Sequence, residues 1–442
     1  MRRSLQALAA GTLMLSFNGA LAGGLLDAYL AARANDPTFR AARYEREAGQ
    51  QAIAIGRSSL LPVVAISASY SKNRGEREST TNTRTEDLDY ADQQAALTLR
   101  QPLLNYEAFV RYQQGGVQAA YSDAVFDRKE GEMTVKLAAA YFEALFSVER
   151  LSLAEAEITA YEAQRELAQR RRKGGEGTVT EVAEAESRMQ LARAGRADAA
   201  DRLLVATHAL AVMTGKPSGR LWVLRPDFVA PALQPAGIEE WLALAENNSP
   251  ELRARRKAFE LAGLDVERVR AGHLPQLDLV ARASRSENET ISTLNQRTRI
   301  NSVGVQLNIP VYAGGRVSAL AEQAVANRER TRAELEAVTT EVQLEVRRQF
   351  LAAVTGIDRI GAYQKAVEAS RVASEGTKRG MAAGIRTNTD VLDAERQMFV
   401  AQRDLAQARY EFLVGSLRLK LAAGVLAEKD IAEIEKLLRP DE

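Results

Sequence analysis

The sequence predicts a mixed fold in which a membrane β-barrel is joined to long α-helices. Three observations predict it. A unit of helix, strand, strand and long helix occurs twice, each unit contains a pair of alternating strands, and each has a helical stretch far longer than a globular core requires. Each chain would therefore supply four strands and two long helices.

Composition excludes several classes of protein before any element is placed. The chain has 442 residues, of which 46% are hydrophobic and 26% are charged, with a formal net charge of +1. No bundle of membrane helices is expected, because each helix would need an apolar run of about 20 residues. The near-zero charge argues against a nucleic-acid partner. With no cysteine, two isolated histidines and no phosphate-binding loop or nucleophile elbow, we predict no enzyme, no metal and no cofactor.

Residues 1–22 have the pattern of a secretory signal peptide. Arg2 and Arg3 precede a short apolar core, and Ala20-Leu21-Ala22 supplies the small residues that a signal peptidase requires. A membrane anchor is the alternative, but it would need a longer apolar run. We therefore predict export from the cytoplasm, with cleavage after Ala22.

The chain contains an internal repeat. Asn35-Asp36-Pro37 recurs 213 residues later as Asn248-Ser249-Pro250, and Thr180 is matched by Thr389 209 residues later. A repeat of this length is too large for a solenoid unit. We predict a first repeat over 23–230, a second over 231–424 and a C-terminal tail over 425–442.

Four strands are predicted from residues that alternate between apolar and polar. They cover about 62–71 and 93–102 in the first repeat, and about 275–284 and 300–310 in the second. Each is close to the length that crosses a bilayer as a tilted strand. The polar segments between them, 71–92 and 284–299, are expected to be loops. Four soluble hairpin strands covering a core are the alternative, and alternation alone leaves both open.

The long helices favour the membrane interpretation. The region from about Glu107 to Lys173 is helical in pattern, and Leu137, Tyr141 and Ala144 begin a series of apolar residues spaced by four and three. Val346, Phe350 and Ala353 repeat those steps. Such spacing is typical of a coiled-coil seam. A helix of this length is a rod of about 100 Å, which suits a span across the aqueous gap between two membranes.

Four strands are too few to close a membrane barrel. Small barrels need about eight, and an open edge in lipid leaves backbone polar groups unpaired. The chain must therefore associate with copies of itself. Two copies would give a barrel too narrow for a pore and three would give twelve strands, which favours a homotrimer.

Two segments carry a resemblance to a known family. Residues 383–395 read AGIRTNTDVLDAE and residues 176–188 read EGTVTEVAEAESR, and the first closely resembles the hallmark segment of the TolC family of outer-membrane channel-tunnels. The Asn-x-Pro helix starts, the joint at Leu60-Leu61-Pro62 and the duplication are also similar to that family. The resemblance covers essentially the whole chain after the signal peptide.

The resemblance implies a trimer with a twelve-stranded barrel in the outer membrane and a coiled-coil helical tunnel through the periplasm. Such a protein is a passive exit channel for cargo driven by an inner-membrane ABC or proton-driven transporter, which docks with a periplasmic adaptor (membrane fusion) protein. The absence of a lipid-anchor cysteine favours type I protein secretion, and multidrug or small-molecule efflux is the alternative. A soluble periplasmic coiled-coil adaptor is a third candidate, but it would not explain the strand pairs.

The resemblance also implies a periplasmic gate. Arg386 would bridge to Thr180 and Glu181 on the neighbouring subunit, and Asp390 and Asp393 would form acid rings at the constriction. Met381 stands where the family has a tyrosine, so the second closing contact of the gate is in question.

The residues themselves favour a second role for these acids. Thr178 with Glu181, and Thr387 with Asp390, have the spacing of capping boxes that start helices. Each box follows a glycine, Gly177 or Gly384, that permits a break between two helices. Both roles are compatible.

A trimer would bring the acids of the gate segment close to one axis. Asp390 and Asp393 share a helix face, so three copies would concentrate negative potential and attract cations. The basic run 170–173 reads as cations at a helix C-terminus, with a docking surface as the alternative.

Overall fold

The computed structural model describes residues 23–78, 85–217, 219–290 and 293–440. The predicted signal segment and its cleavage position therefore lie outside the described residues. The elements are, in chain order, α1 (Leu25–Asn35), α2 (Pro37–Ser58), β1 (Val63–Glu78), β2 (Thr85–Leu104), α3 (Tyr106–Lys173), α4 (Val179–Thr214), β3 (Val223–Leu224), α5 (Ile238–Asn248), α6 (Pro250–Arg270), β4 (Gln276–Thr290), β5 (Thr293–Asn308), α7 (Arg316–Ala382), α8 (Asn388–Ala422), α9 (Glu428–Glu435) and β6 (Leu438–Arg439).

The chain forms two compact units. The strand unit comprises residues 41–129 and 243–345, and the turn unit comprises the described residues of 1–40, 130–242 and 346–442. The long helices α3 and α7, of 68 and 67 residues, have residues in both units. Among the described residues, no helix combines the length and the hydrophobicity of a transmembrane span.

In the strand unit, β1, β2, β4 and β5 form one antiparallel sheet in the order β1-β2-β4-β5. The pairing of β2 with β4 joins the two predicted repeats within a single sheet. Strands β1 and β5 are the edges, and within the described chain neither edge has a further strand beside it. The backbone N–H and C=O groups along these two edges are therefore available to another chain.

The strands are longer than their apolar alternation predicts. The prediction of loops over 71–92 and 284–299 is wrong for most of the described residues in these segments. Strand β1 continues to Glu78 and β2 begins at Thr85, while β4 continues to Thr290 and β5 begins at Thr293. The ladder depends on backbone hydrogen bonds and does not end where the apolar side chains end. Charged pairs support its outer part, where Arg74 Nη2 lies 3.3 Å from Asp89 Oδ2 and Arg297 Nη2 lies 2.7 Å from Glu287 Oε1.

The sheet has one apolar and one polar face. The pairing register places Val64, Leu99, Ala281 and Val303 in one row across the four strands. The neighbouring row on the other face contains Ala65, Thr98, Arg282 and Ser302.

The apolar face is not covered by any described part of the chain. Ile66 and Val303 are 80% and 76% exposed, and Val305 and Leu307 are exposed as well. The alternative of soluble hairpins covering a core is therefore wrong for these strands, because a core would bury them. An apolar surface of this extent marks contact with a membrane or a partner.

In the strand unit, α2 and α3 approach closely at two glycines. A Cβ added to Gly115 would lie 2.4 Å from the Ala52 carbonyl oxygen, and one added to Gly56 would lie 2.8 Å from the Arg111 carbonyl oxygen. Neither position could hold a side chain without separating the helices. Glycine is needed here for packing, although it costs helix stability.

Most of the predicted seam residues lie in the core of the turn unit. Leu137, Tyr141 and Ala144 are fully buried on α3, and Val346 and Ala353 are buried on α7. Val148, which follows Ala144 by four residues and continues the same spacing, is 37% exposed, so burial along α3 is less complete there. The Tyr141 hydroxyl donates to the Gly23 carbonyl oxygen at 2.6 Å, which ties the start of the described chain to this core.

Candidate functional site

The predicted gate residues lie in two turns of the turn unit or near the start of the helix that follows each turn. The first turn (174–178) joins α3 to α4, and the second turn (383–387) joins α7 to α8. Gly175 and Gly384 adopt positive φ of +80° and +76°, a left-handed conformation that glycine reaches without strain. The sequence-based assignment of Gly177 to the first chain break is wrong. Gly175 holds that conformation, and it lies 209 residues before Gly384.

Both predicted capping boxes are formed. In the first, the Glu181 backbone N–H donates to Thr178 Oγ1 at 3.2 Å, and the Thr178 N–H donates to Glu181 Oε2 at 3.2 Å. In the second, the Asp390 N–H donates to Thr387 Oγ1 at 3.2 Å, and the Thr387 N–H donates to Asp390 Oδ2 at 2.9 Å. The two carboxylates thus start α4 and α8, as their spacing predicts.

Asp390 is held in its charged form by these contacts. Its pKa is lowered, first by the hydrogen bond from the Thr387 backbone N–H, then by the Thr387 side chain, and also by the positive charge of Arg386. The Asp390 carboxylate therefore caps α8 and also places a negative charge beside the second turn.

Asp393 lies one turn farther along α8 and is not a free acid. Its Oδ1 lies 2.6 Å from Nη2 of Arg188, which extends from α4. A second contact between the same helices is a hydrogen bond from Thr389 Oγ1 to Glu184 Oε2 at 2.6 Å. Neither pair could be predicted from the sequence, because the partners are 205 residues apart and meet only through the alignment of the two helices.

Arg386 and Thr180 are exposed, and Glu181 is half-buried. Within the described part of one chain, the Arg386 side chain has no ion pair, the Thr180 hydroxyl makes no hydrogen bond, and the Glu181 carboxylate bonds only to Thr178. One chain therefore does not bring Arg386 together with Thr180 or Glu181. It does bring Asp393, and Thr389 next to Asp390, into contact with side chains of α4.

A buried acid lies behind the second turn. Glu395 is 1% exposed, and its Oε1 lies 2.7 Å from Nζ of Lys378 on α7. Its Oε2 has no hydrogen-bond partner among the described residues. Breaking this pair from the lysine side would leave a buried charge uncompensated. Met381, at the family's tyrosine position, is also buried, and its thioether cannot donate the hydrogen bond that a tyrosine hydroxyl would.

An apolar cluster beside these contacts fixes the helices. Tyr161, Ala185, Met189 and Leu392 are buried together, so α3, α4 and α8 pack closely near the two turns. Burial raises the pKa of the Tyr161 hydroxyl, with the carboxylate of Glu157 adding to the effect. The hydroxyl therefore stays protonated.

Basic residues end α3 beside the first turn. Arg170, Arg172 and Lys173 are exposed in the last turn of that helix, where cations suit the helix dipole. Across the described ranges, no group of three or more His, Asp and Glu side chains is placed to hold a metal ion. The site thus consists of helix caps, ion pairs and exposed charges.

Comparison with known families gives a match over most of the chain. The model of the family described as "Outer membrane efflux protein" matches residues 28–216 and 241–425.

Individual relatives match over nearly their whole length. The chain is 38% identical to the alkaline protease secretion protein AprF of Pseudomonas aeruginosa over 441 residues, covering 98% of this chain and 90% of that protein. It is 37% identical to the proteases secretion protein PrtF of Dickeya chrysanthemi over 433 residues, covering 96% and 93%. The fold matches the open state of the Neisseria gonorrhoeae MtrE outer membrane channel with a TM-score of 0.77 and 21% identity, covering 92% of this chain and 90% of that one.

Proposed function

Because the chain belongs to the outer membrane efflux protein family, we propose that it is the outer-membrane exit channel of a type I protein secretion system. Membership confirms the TolC-family resemblance and the predicted outer-membrane location. It also confirms that the protein is not an enzyme. The rival class, a soluble periplasmic adaptor, is not supported.

The two-faced sheet is the observation that carries the proposal. Its exposed apolar face suits lipid, its polar face suits a water-filled interior, and its edges β1 and β5 are open. An unpaired edge in lipid is costly, so the edges must meet those of other copies. Three copies would close a barrel of twelve strands, wide enough for an aqueous lumen. The helices would continue it as a tunnel into the periplasm.

Secretion of proteins is favoured over efflux of small molecules by the relatives. AprF and PrtF, at 38% and 37% identity over nearly the whole chain, are both named for protease secretion. The chain would receive its cargo from an inner-membrane ABC transporter through a periplasmic adaptor. It contributes the conduit, and the transporter contributes the energy.

Arg386, Thr180, Glu181, Asp390 and Asp393 are proposed to form the periplasmic gate. Arg386 is exposed and without an ion pair inside the described chain, so it is available to Thr180 and Glu181 on a neighbouring copy. A hydrogen bond to a charged group is worth about 1.5–3 kcal/mol. Replacing Arg386 by Ser should therefore loosen the closed state and raise the mean single-channel conductance in planar bilayers. An unchanged conductance would remove Arg386 from the gate.

The two repeats are proposed to derive from one duplicated unit, with boundaries near 23–230 and 231–424 and a separate tail over 425–442. The order of helix, two strands, long helix and capped helix is the same in both halves. Each half also has a left-handed glycine and a capping box at its turn. These shared details support a common origin.

The function can be tested in cells that lack their own exit channel but contain an ABC exporter, its adaptor and a protease substrate. Adding this chain should restore protease to the culture medium, with the periplasm free of it. As a matched control, the same cells without the ABC exporter should release none. Extrusion of a fluorescent dye by a proton-driven pump, without any rescue of protease secretion, would contradict the proposal and favour efflux.

A further inference from the structure

Arg188 and Asp393 form an ion pair between the two repeats. Arg188 belongs to α4 of the first repeat and Asp393 to α8 of the second, with 2.6 Å between Nη2 and Oδ1. The Arg188 side chain is 27% exposed and that of Asp393 is 58% exposed. The guanidinium thus lies partly sheltered against the helices while the carboxylate is presented to solvent.

The pair is not repeated by the internal symmetry of the chain. Asp393 corresponds to Glu184 at the 209-residue offset, and Arg188 corresponds to Gln397. Glu184 accepts a hydrogen bond from the neutral Thr389 hydroxyl, and in the described chain it has no ion pair. One of the two equivalent acids is therefore compensated by a cation and the other is not.

We propose that Arg188 is a selectivity-determining residue that compensates the charge of Asp393 at the constriction. The proposal rests on the proposed function, because it requires Asp393 to face the conduit of an assembled channel. The two opposite charges in contact act as a dipole, whose field falls off faster than that of a single charge and is screened by salt. The negative potential acting on permeating ions comes instead from Asp390 and Glu184.

The Arg188–Asp393 ion pair can compensate the charge of Asp393 even if it contributes little to the stability of the fold. Ion pairs this exposed contribute at most modestly to folding, so removal of one partner should leave the protein folded. The backbone of α4 at Arg188 is anchored, since Met189, the next residue, and Ala185, three residues earlier, are buried in the apolar cluster. Removing the guanidinium would therefore leave the negative charge of Asp393 uncompensated without changing the packing of the helices.

The test is the ratio of potassium to chloride permeability, measured from reversal potentials of the reconstituted channel in a KCl gradient. Arg188→Gln should raise the ratio several-fold, and Arg188→Lys should keep it close to that of the wild type. Asp393→Asn should lower the ratio, because it leaves Arg188 unpaired. The double variant should return towards the wild-type value.

Arg193→Gln is the matched control. It removes the same charge from α4, but Arg193 pairs with Glu162 at 2.9 Å and lies five residues farther along, on another side of the helix. It should leave the ratio unchanged.

The measurements distinguish a failure of the proposed channel function from a failure of the proposed role of Arg188. A wild-type protein without any conductance would overturn the exit channel and the inference together. A conducting wild type in which Arg188→Gln leaves the permeability ratio unchanged would overturn the inference alone, whatever Asp393→Asn does. An equal rise in Arg188→Gln and Arg193→Gln would also overturn it, because the effect would then be one of total charge.

Discussion

At the scale of single residues, hydrogen bonding and burial shift the pKa values of two acids in the turn unit in opposite directions. Asp390 accepts from the Thr387 backbone and is held ionised, whereas Glu149 on α3 is half-buried and has its pKa raised by burial. The Tyr410 hydroxyl donates to Glu149 Oε2 at 3.1 Å, which offsets part of that burial. A carboxylate therefore stabilises a helix start at Asp390, whereas at Glu149 burial penalises its charged form.

Loss of the second cap should open the start of α8. Thr387→Ala removes the acceptor for the Asp390 N–H and should cost about 1 kcal/mol. Hydrogen exchange of amides in the first turn of α8 should then be about fivefold faster. Thr377→Ala is the control, because that hydroxyl only bonds back to the Ala373 carbonyl within α7. Equal acceleration in both variants would show that the cap does not hold the turn.

The raised pKa of Glu149 predicts that the stability of the folded protein depends on pH. Because the folded-state pKa of Glu149 is raised, the folded chain binds this proton more tightly than the unfolded chain does. Its contribution to stability is therefore greatest in acid and is lost as pH rises from the unfolded value of 4.5 through the raised folded value.

Glu149→Gln should consequently raise the Tm at about pH 7.5 and reduce the difference from the Tm at about pH 5. Differential scanning calorimetry of the purified protein measures both. Glu143→Gln, at an exposed acid on the same helix, should leave the difference as in the wild type. A Glu149→Gln protein with the wild-type pH dependence would contradict the assignment.

At the scale of elements, local sequence patterns predicted the helices well, whereas contacts between residues distant in sequence could not be predicted. The helix predicted over about 107–173 is observed as Tyr106–Lys173, because periodicity and the glycine-rich break are both local signals. The strand ends were missed, since the ladder continues through polar residues that carry no alternation. The contact of Arg188 with Asp393 could not be predicted, because it depends on how α4 and α8 are aligned in the fold.

Two neighbouring residues of β5 should respond oppositely to the same substitution. Val305 lies on the apolar face and Gln306 on the polar face. Arginine on the lipid face of a barrel costs about 2–4 kcal/mol near the midplane, and much less elsewhere. Val305→Arg should therefore reduce the folded protein recovered from the outer membrane, and Gln306→Arg should not. Recovery is measured by the heat-modifiable band on gels of outer-membrane fractions, and equal loss in both variants would contradict the assignment of faces.

At the scale of the whole molecule, the chain is incomplete by itself. Its sheet exposes an apolar face and two edges, and Arg386, the proposed gate residue, has no ion-pair partner within the described chain. In the proposed assembly, other copies would supply both the missing strands and the carboxylates. Self-association would then belong to the folding of this protein, because a single copy has no way to pair its edges in lipid.

The mass of the purified complex tests this account most directly. Native mass spectrometry from detergent should give a protein mass close to three times that of the chain after signal removal, with no folded monomer left when detergent is withdrawn. A single chain that remains folded and stable in detergent-free buffer, with the β1 and β5 edges still unpaired, would contradict it.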